Sequence, residues 1–173
     1  VLMCGGKMDE QLLNNKINLW RAKYYSQNWG KKIVLDPPFL FGCNTMLIKS
    51  AWKKVNGYNE KLKTNGEDIN FVHRIRSKTD GQIIYQPSAK CYHLQDDNID
   101  TLSKRVWRYH SFAYKIKEPS IKKLFKLSIK QSKFFIQRVF KSIILLDLSD
   151  INISFKVLIN FIKLEYIFLN KKK

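Results

Sequence analysis

Breakers set the scale of what the first 118 residues can build. Asn28-Trp29-Gly30, Pro37-Pro38, Asn56-Gly57, Asn65-Gly66, Asp80-Gly81, Pro87 and Glu118-Pro119 cut the chain into short runs, and each run must choose helix or strand. Residues 9–29 carry Leu12, Leu13, Ile17, Trp20 and Tyr24 at helical spacing, which predicts a helix ending near Gly30. Pro37-Pro38 forces an extended path into FLFGCNTMLI, a β-rich run broken by Gly42. SAWKKV reads as a helical turn, and a helix begins near Glu67. QIIYQ reads as a strand broken by Pro87, and SAKCYHL as a second extended run. Strand alternation puts Ala89, Cys91 and His93 of that run on one face. Residues 101–117 predict a further helix.

From Ile121 the pattern changes. Ile121, Leu124, Phe125, Phe135, Ile136, Val139 and Ile143 gather on one side of a helical wheel, with Lys122, Lys123, Lys126, Lys130, Lys133 and Lys141 on the other. A more apolar segment, 151–169, follows and ends in Lys171 to Lys173. The chain thus divides into a mixed α/β part, 1–118, and a basic amphipathic helical tail, 119–173. No uncharged run reaches the roughly 18 residues needed to span a bilayer.

Charge follows the same division. The net charge of +18 splits into +5 for residues 1–100 and +13 for 101–173, a field that favours phospholipid headgroups, nucleic acid or phosphorylated substrates. With 173 residues and 45% hydrophobic content the chain can bury a core. Cys4, Cys43 and Cys91 lie far apart without a C-x-x-C pair, so the sequence suggests neither a disulfide framework nor a zinc cluster. The opening VLMCGGKMDE does not begin with Met, as expected of a fragment.

Three constellations carry candidate chemistry. Thr64-x-x-Glu67 fits a capping box, which would make the acids structural. Asp68, however, shares a face with Val72 and Ile75, so it caps the helix or looks into a cleft as a tunable base. His93, ending a strand, reads as a hydrogen-bonded packing residue unless a partner makes it a ligand, and neither His73 nor His110 has ligand spacing with it. Lys104 to His110, with Arg105, Trp107 and Arg108, either grips a phosphate or stacks on a base, or else forms a helix with a solvated basic face. No Walker loop and no G-x-G-x-x-G is present.

Taken in order, FGCN, VNGYNEKL, GEDINFVHRI, GQIIYQPSAKCYH and KRVWRYHSFAYK resemble the C-terminal half of family 2 inverting glycosyltransferases with the GT-A fold, over about residues 30–116. The resemblance implies the C-terminal portion of a GT-A domain, a mixed sheet with flanking helices, followed by amphipathic helices. It implies transfer of a sugar, with inversion, from a nucleotide-diphospho-sugar to a glycan or lipid-linked hydroxyl acceptor. Asp68 matches the base that takes the acceptor proton, and Glu67 would orient the acceptor or cap the helix. Gly42, Asn44 and Trp107 fall on the acceptor side. His93 matches a histidine that in some members holds a divalent metal, Mg or Mn, while Arg105 or Arg108 would assist the diphosphate. The family's Asp-x-Asp motif has no counterpart in residues 1–40. A fragment would belong to an active transferase, whereas a complete product of this length would lack donor binding. Surface polysaccharide synthesis, a cytoplasmic location and a tail lying on an anionic membrane complete the expectation. Two other classes compete: a nucleic-acid-binding module, which leaves the Glu-Asp helix unexplained, and a membrane-peripheral interaction protein without catalysis, which ignores residues 1–118.

Overall fold

A computed structural model describes residues 1–62, 66–112 and 120–170, with backbone alone at 111 and 112. Its elements are β1 (Met3–Glu10), α1 (Lys16–Tyr24), β2 (Val34–Leu35), β3 (Thr45–Leu47), α2 (Lys49–Lys54), α3 (Glu67–Lys78), β4 (Ile83–His93), α4 (Ile99–Phe112), α5 (Ile121–Ile144) and α6 (Leu148–Asn170). Contacts group them into two units: Val1–Gln11 with Tyr25–Gln95, and Leu12–Tyr24 with Asp96–Lys173.

The first unit is a mixed four-stranded sheet in the order β2-β4-β1-β3. β1 and β4 run parallel, whereas β3 on β1 and β2 on β4 run antiparallel. β1 passes through Gly5 and Gly6 because its neighbours come too close for a side chain. A Cβ at Gly5 would stand 2.9 Å from Leu40, and one at Gly6 would fall on the Ala89 carbonyl oxygen. The strand also takes residues expected to be helical: Asp9 and Glu10 pair with Tyr92 and His93. The helix predicted over 9–29 is therefore confined to α1.

Pro87 does not divide the following run in two. β4 continues from Ile83 to His93, and the register jumps from Gly6↔Gln86 to Lys7↔Lys90. The residues in between bulge, and there a proline's missing N–H costs no ladder bond. The core gathers Met3, Leu40, Val55, Ile83 and Tyr85 against Phe71, Val72 and Ile75 of α3, whose spacing gives the helix one apolar face.

The second unit is helical. Trp20 of α1 is fully buried, as are Leu102 and Phe161, and its Nε1 donates to Ser154 Oγ at 2.8 Å. Beside it Arg21 Nη1 donates to Asp97 Oδ2 at 2.9 Å, with both side chains almost wholly out of solvent. Lys23 and Tyr24 both donate to Asp150 at the start of α6. Ser120 caps α5 by accepting from Lys123 N at 3.2 Å. The part of the helix predicted over 101–117 that follows Phe112 lies outside the described residues.

The membrane-associated tail is corrected here. No helix among the described residues is long and apolar enough to cross a membrane. α5 turns Leu127, Gln131 and Ser142 inward, and its Phe135 ring meets Phe155 of α6 at 6.0 Å. The helical tail is a packed part of its own unit.

Burial pushes the Asp97 carboxyl upward, but the Arg105 charge and hydrogen bonds from Thr101, Arg21 and Arg105 outweigh it and hold the group below the ordinary carboxylate range. Asp97→Ala takes from the buried Arg21 guanidinium its carboxylate partner. It is expected to cost about 3–5 kcal/mol in urea unfolding followed by circular dichroism; a loss under about 1 kcal/mol, the scale of an exposed pair, would contradict this account.

Candidate functional site

α3 opens without a side-chain cap. Gly66, at φ +97°, turns the chain through the left-handed region and makes Glu67 the first helical residue. Glu67 is therefore not at the third position that a capping box requires, and Thr64 lies outside the described residues. The carboxylates at this end answer to something other than the predicted box. Asp68 Oδ1 accepts from Ile69 N at 2.8 Å. Glu67 Oε2 is buried and has no hydrogen-bond partner among the described residues.

Gly42 closes over Asp68. A Cβ built on Gly42 would stand 3.5 Å from Asp68 Cβ and 4.0 Å from Tyr58 Oη, ordinary contact distances that set the glycine against both side chains. Burial pushes the Asp68 pKa up and the Glu67 charge adds to this, while backbone N–H groups of Ile69 and Gly42 pull it partly back; the net direction is upward. Tyr58 and Cys43 are raised as well, first by burial and then by charges that include Asp68 and Glu67. These four side chains share one electronegative neighbourhood.

Sequence reasoning missed the aromatic wall. Tyr58 packs against Phe71 at 4.4 Å and Trp52 at 5.3 Å between ring centroids. Arg74 holds the turn before it, donating to the carbonyls of Val55 at 2.5 Å and Gly57 at 2.7 Å. The signal lay in VNGYNEKL together with an Arg seven residues after Glu67, but nothing local showed that the guanidinium reaches back across the turn.

The other predicted residues are placed elsewhere. Asn44 Nδ2 donates to Lys7 O and Ala89 O, both at 3.0 Å, tying β1 to the bulge of β4. His93 Nδ1 pairs with Glu10 Oε1 at 2.8 Å at the ends of the same strands. In the helical unit Arg105 reaches Asp97 at 3.4 Å, and Trp107 Nε1 donates to Glu165 Oε2 at 2.5 Å. Arg108 Nε is buried without a hydrogen-bond partner among the described residues. A divalent metal finds no fit: no group of three or more His, Cys, Asp or Glu among the described residues is placed to hold one.

Residues 24–97 match the family model described as the N-terminal domain of galactosyltransferase. That region contains Gly42, Tyr58, Glu67, Asp68 and His93, so the similarity to a glycosyltransferase-related domain falls on the Asp68 neighbourhood. It covers under half of the chain. It also corrects the expected C-terminal half of a GT-A catalytic domain, because the matched segment is described as N-terminal. Motif order places residues beside one another without fixing their position in a longer chain. The fold that stands is a mixed α/β arrangement with a small sheet and flanking helices. No curated protein and no solved structure matches the chain significantly.

The raised Asp68 pKa has a signed consequence for stability. Protonated Asp68 contributes fully below the unfolded value of about 3.9, and that contribution is lost as pH rises through the higher folded value. Asp68→Asn stays uncharged and keeps an oxygen for Ile69 N. It should melt with the parent near about pH 3 and above the parent at about pH 7; a variant that melts lower at neutral pH contradicts the placement of this carboxylate.

Proposed function

We propose that the chain carries the acceptor-binding side of a glycosyltransferase, with Asp68 as the base. The acceptor hydroxyl gives its proton to the Asp68 carboxylate while its oxygen bonds to the anomeric carbon of a nucleotide-diphospho-sugar. The bond to the diphosphate breaks from the opposite side, and the anomeric centre inverts. A half-buried carboxylate with a raised pKa is a stronger proton acceptor than a solvated one, and the first turn of a helix holds it in place.

The observation that carries this reading is the placement of Asp68 in the first turn of α3, against Gly42 and beside Glu67 and Tyr58, with its carboxyl pKa pushed up by burial. Glu67 Oε2, lacking a donor among the described residues, would accept from a second hydroxyl of the acceptor. The rings of Tyr58 and Trp52 supply an apolar wall of the kind that sugar faces stack on. The match to a galactosyltransferase domain makes UDP-galactose the first donor to try. No step is assigned to a metal, since the described residues do not fit one.

Labelled galactose passing from UDP-galactose to a panel of saccharide acceptors measures the activity of the protein that carries this chain. Asp68→Asn is expected to lower turnover by roughly a hundredfold or more without weakening donor binding. Turnover within about threefold of the parent would reject Asp68 as base. Gly42→Ala puts a methyl group against Asp68 and Tyr58 at ordinary contact distances. It should raise the acceptor KM by roughly tenfold and leave the melting temperature unchanged.

A further inference from the structure

The face of β1 and β4 that carries Glu10 and His93 also carries, one strand repeat earlier, Met8 and Cys91. These two are direct partners across the parallel ladder, so their side chains share that face. Cys43 arrives from the loop after Gly42, and its thiol donates to Met8 Sδ at 3.5 Å. The Cys43 and Met8 sulfurs therefore meet, and the ladder sets Cys91 beside Met8 on the same face, near enough for its charge to act on Cys43; Met8 is buried at 3% exposure and both cysteines are free of disulfides. The Cys43 thiol also feels the charges of Cys91, Asp68 and Glu67, which marks the spot as electronegative.

We propose that Cys43, Cys91 and Met8 bind one soft monovalent d10 cation, Cu(I), for which Ag(I) is a surrogate. Two thiolates and a thioether form a donor set that selects Cu(I) over the harder divalent ions. Sulfurs about 2.3 Å from a common ion stand at most roughly 4.6 Å apart, and the Cys43–Met8 separation fits within that limit. Uptake replaces two thiol protons by one cation: Cu(I) joins two thiolates and the Met8 thioether, and two protons pass to solvent. A tetrahedral zinc site would need further ligands, and no group of three His, Cys, Asp or Glu is placed to hold a metal among the described residues. No redox change is required of the protein.

The reduced full chain, titrated without oxygen against Cu(I) held by bathocuproine disulfonate, should remove one ion per chain from the chelator. Cys43→Ser and Cys91→Ser should each weaken this by roughly tenfold or more, and Met8→Leu by less. Cys4→Ser, at a residue paired with Ile84 elsewhere on β1, should match the parent. A second measurement needs no variant: bound Ag(I) should shield Cys43 and Cys91 from iodoacetamide while Cys4 labels equally with and without the ion. Failure to take Cu(I) from the chelator, parent-like affinity in either serine variant, or a Cys43–Cys91 disulfide whose reduced form takes up no ion would each overturn the proposal.

Discussion

The first unit depends on how close β1 lets its neighbours come. With Gly5 and Gly6 bare, Leu40 settles on one residue and the Ala89 carbonyl on the next, and Asn44 can reach both strands with one amide. Gly6 N then donates to Asn44 O at 3.0 Å, closing the tie from the other side. The loop held this way contains Gly42 and Cys43, so the backbone that meets Asp68 is tied to β1 through Asn44. Placement of this kind comes from backbone contact rather than from side chains added around the carboxylate.

Two aspartates show how one residue type serves opposite ends. Asp97 is nearly as buried as the core, yet Arg21 and Arg105 hold it ionised, and it fastens α1 to the start of α4. Asp68 has neutral N–H donors and an acidic neighbour, so its charge is resisted. The first arrangement contributes stability, and the second costs some at neutral pH. Similar commitments explain the cationic and aromatic cluster of α4: Arg105 and Trp107 answer Asp97 and Glu165 within the helical unit.

What the sequence disclosed follows the range of the forces involved. The start of α3 was legible because a glycine turn, two acids and an apolar stripe all lie within a dozen residues, and Asp68 stood out against that stripe. α2, α5 and α6 were legible for the same local reasons. β1 was not, since MCGGKMDE has glycines where a strand wants branched side chains, and its reason for being extended is a partner some eighty residues away. Pro87 misled because a bulge excuses the missing N–H, and bulges are set by the opposing strand. The wheel of α5 misled more subtly: Phe125, Ile136 and Ile143 lie exposed, while Leu127, Gln131 and Ser142 face inward, chosen by what α6 offers.

The Trp20–Ser154 bond joins residues 134 apart in the chain. A ribosome adding about 5–20 residues per second takes roughly 7 to 27 seconds to cover that distance. For that interval the indole that centres the helical unit has been made but its hydroxyl partner has not. The helical unit therefore closes only after α6 has been made, well after α1 itself.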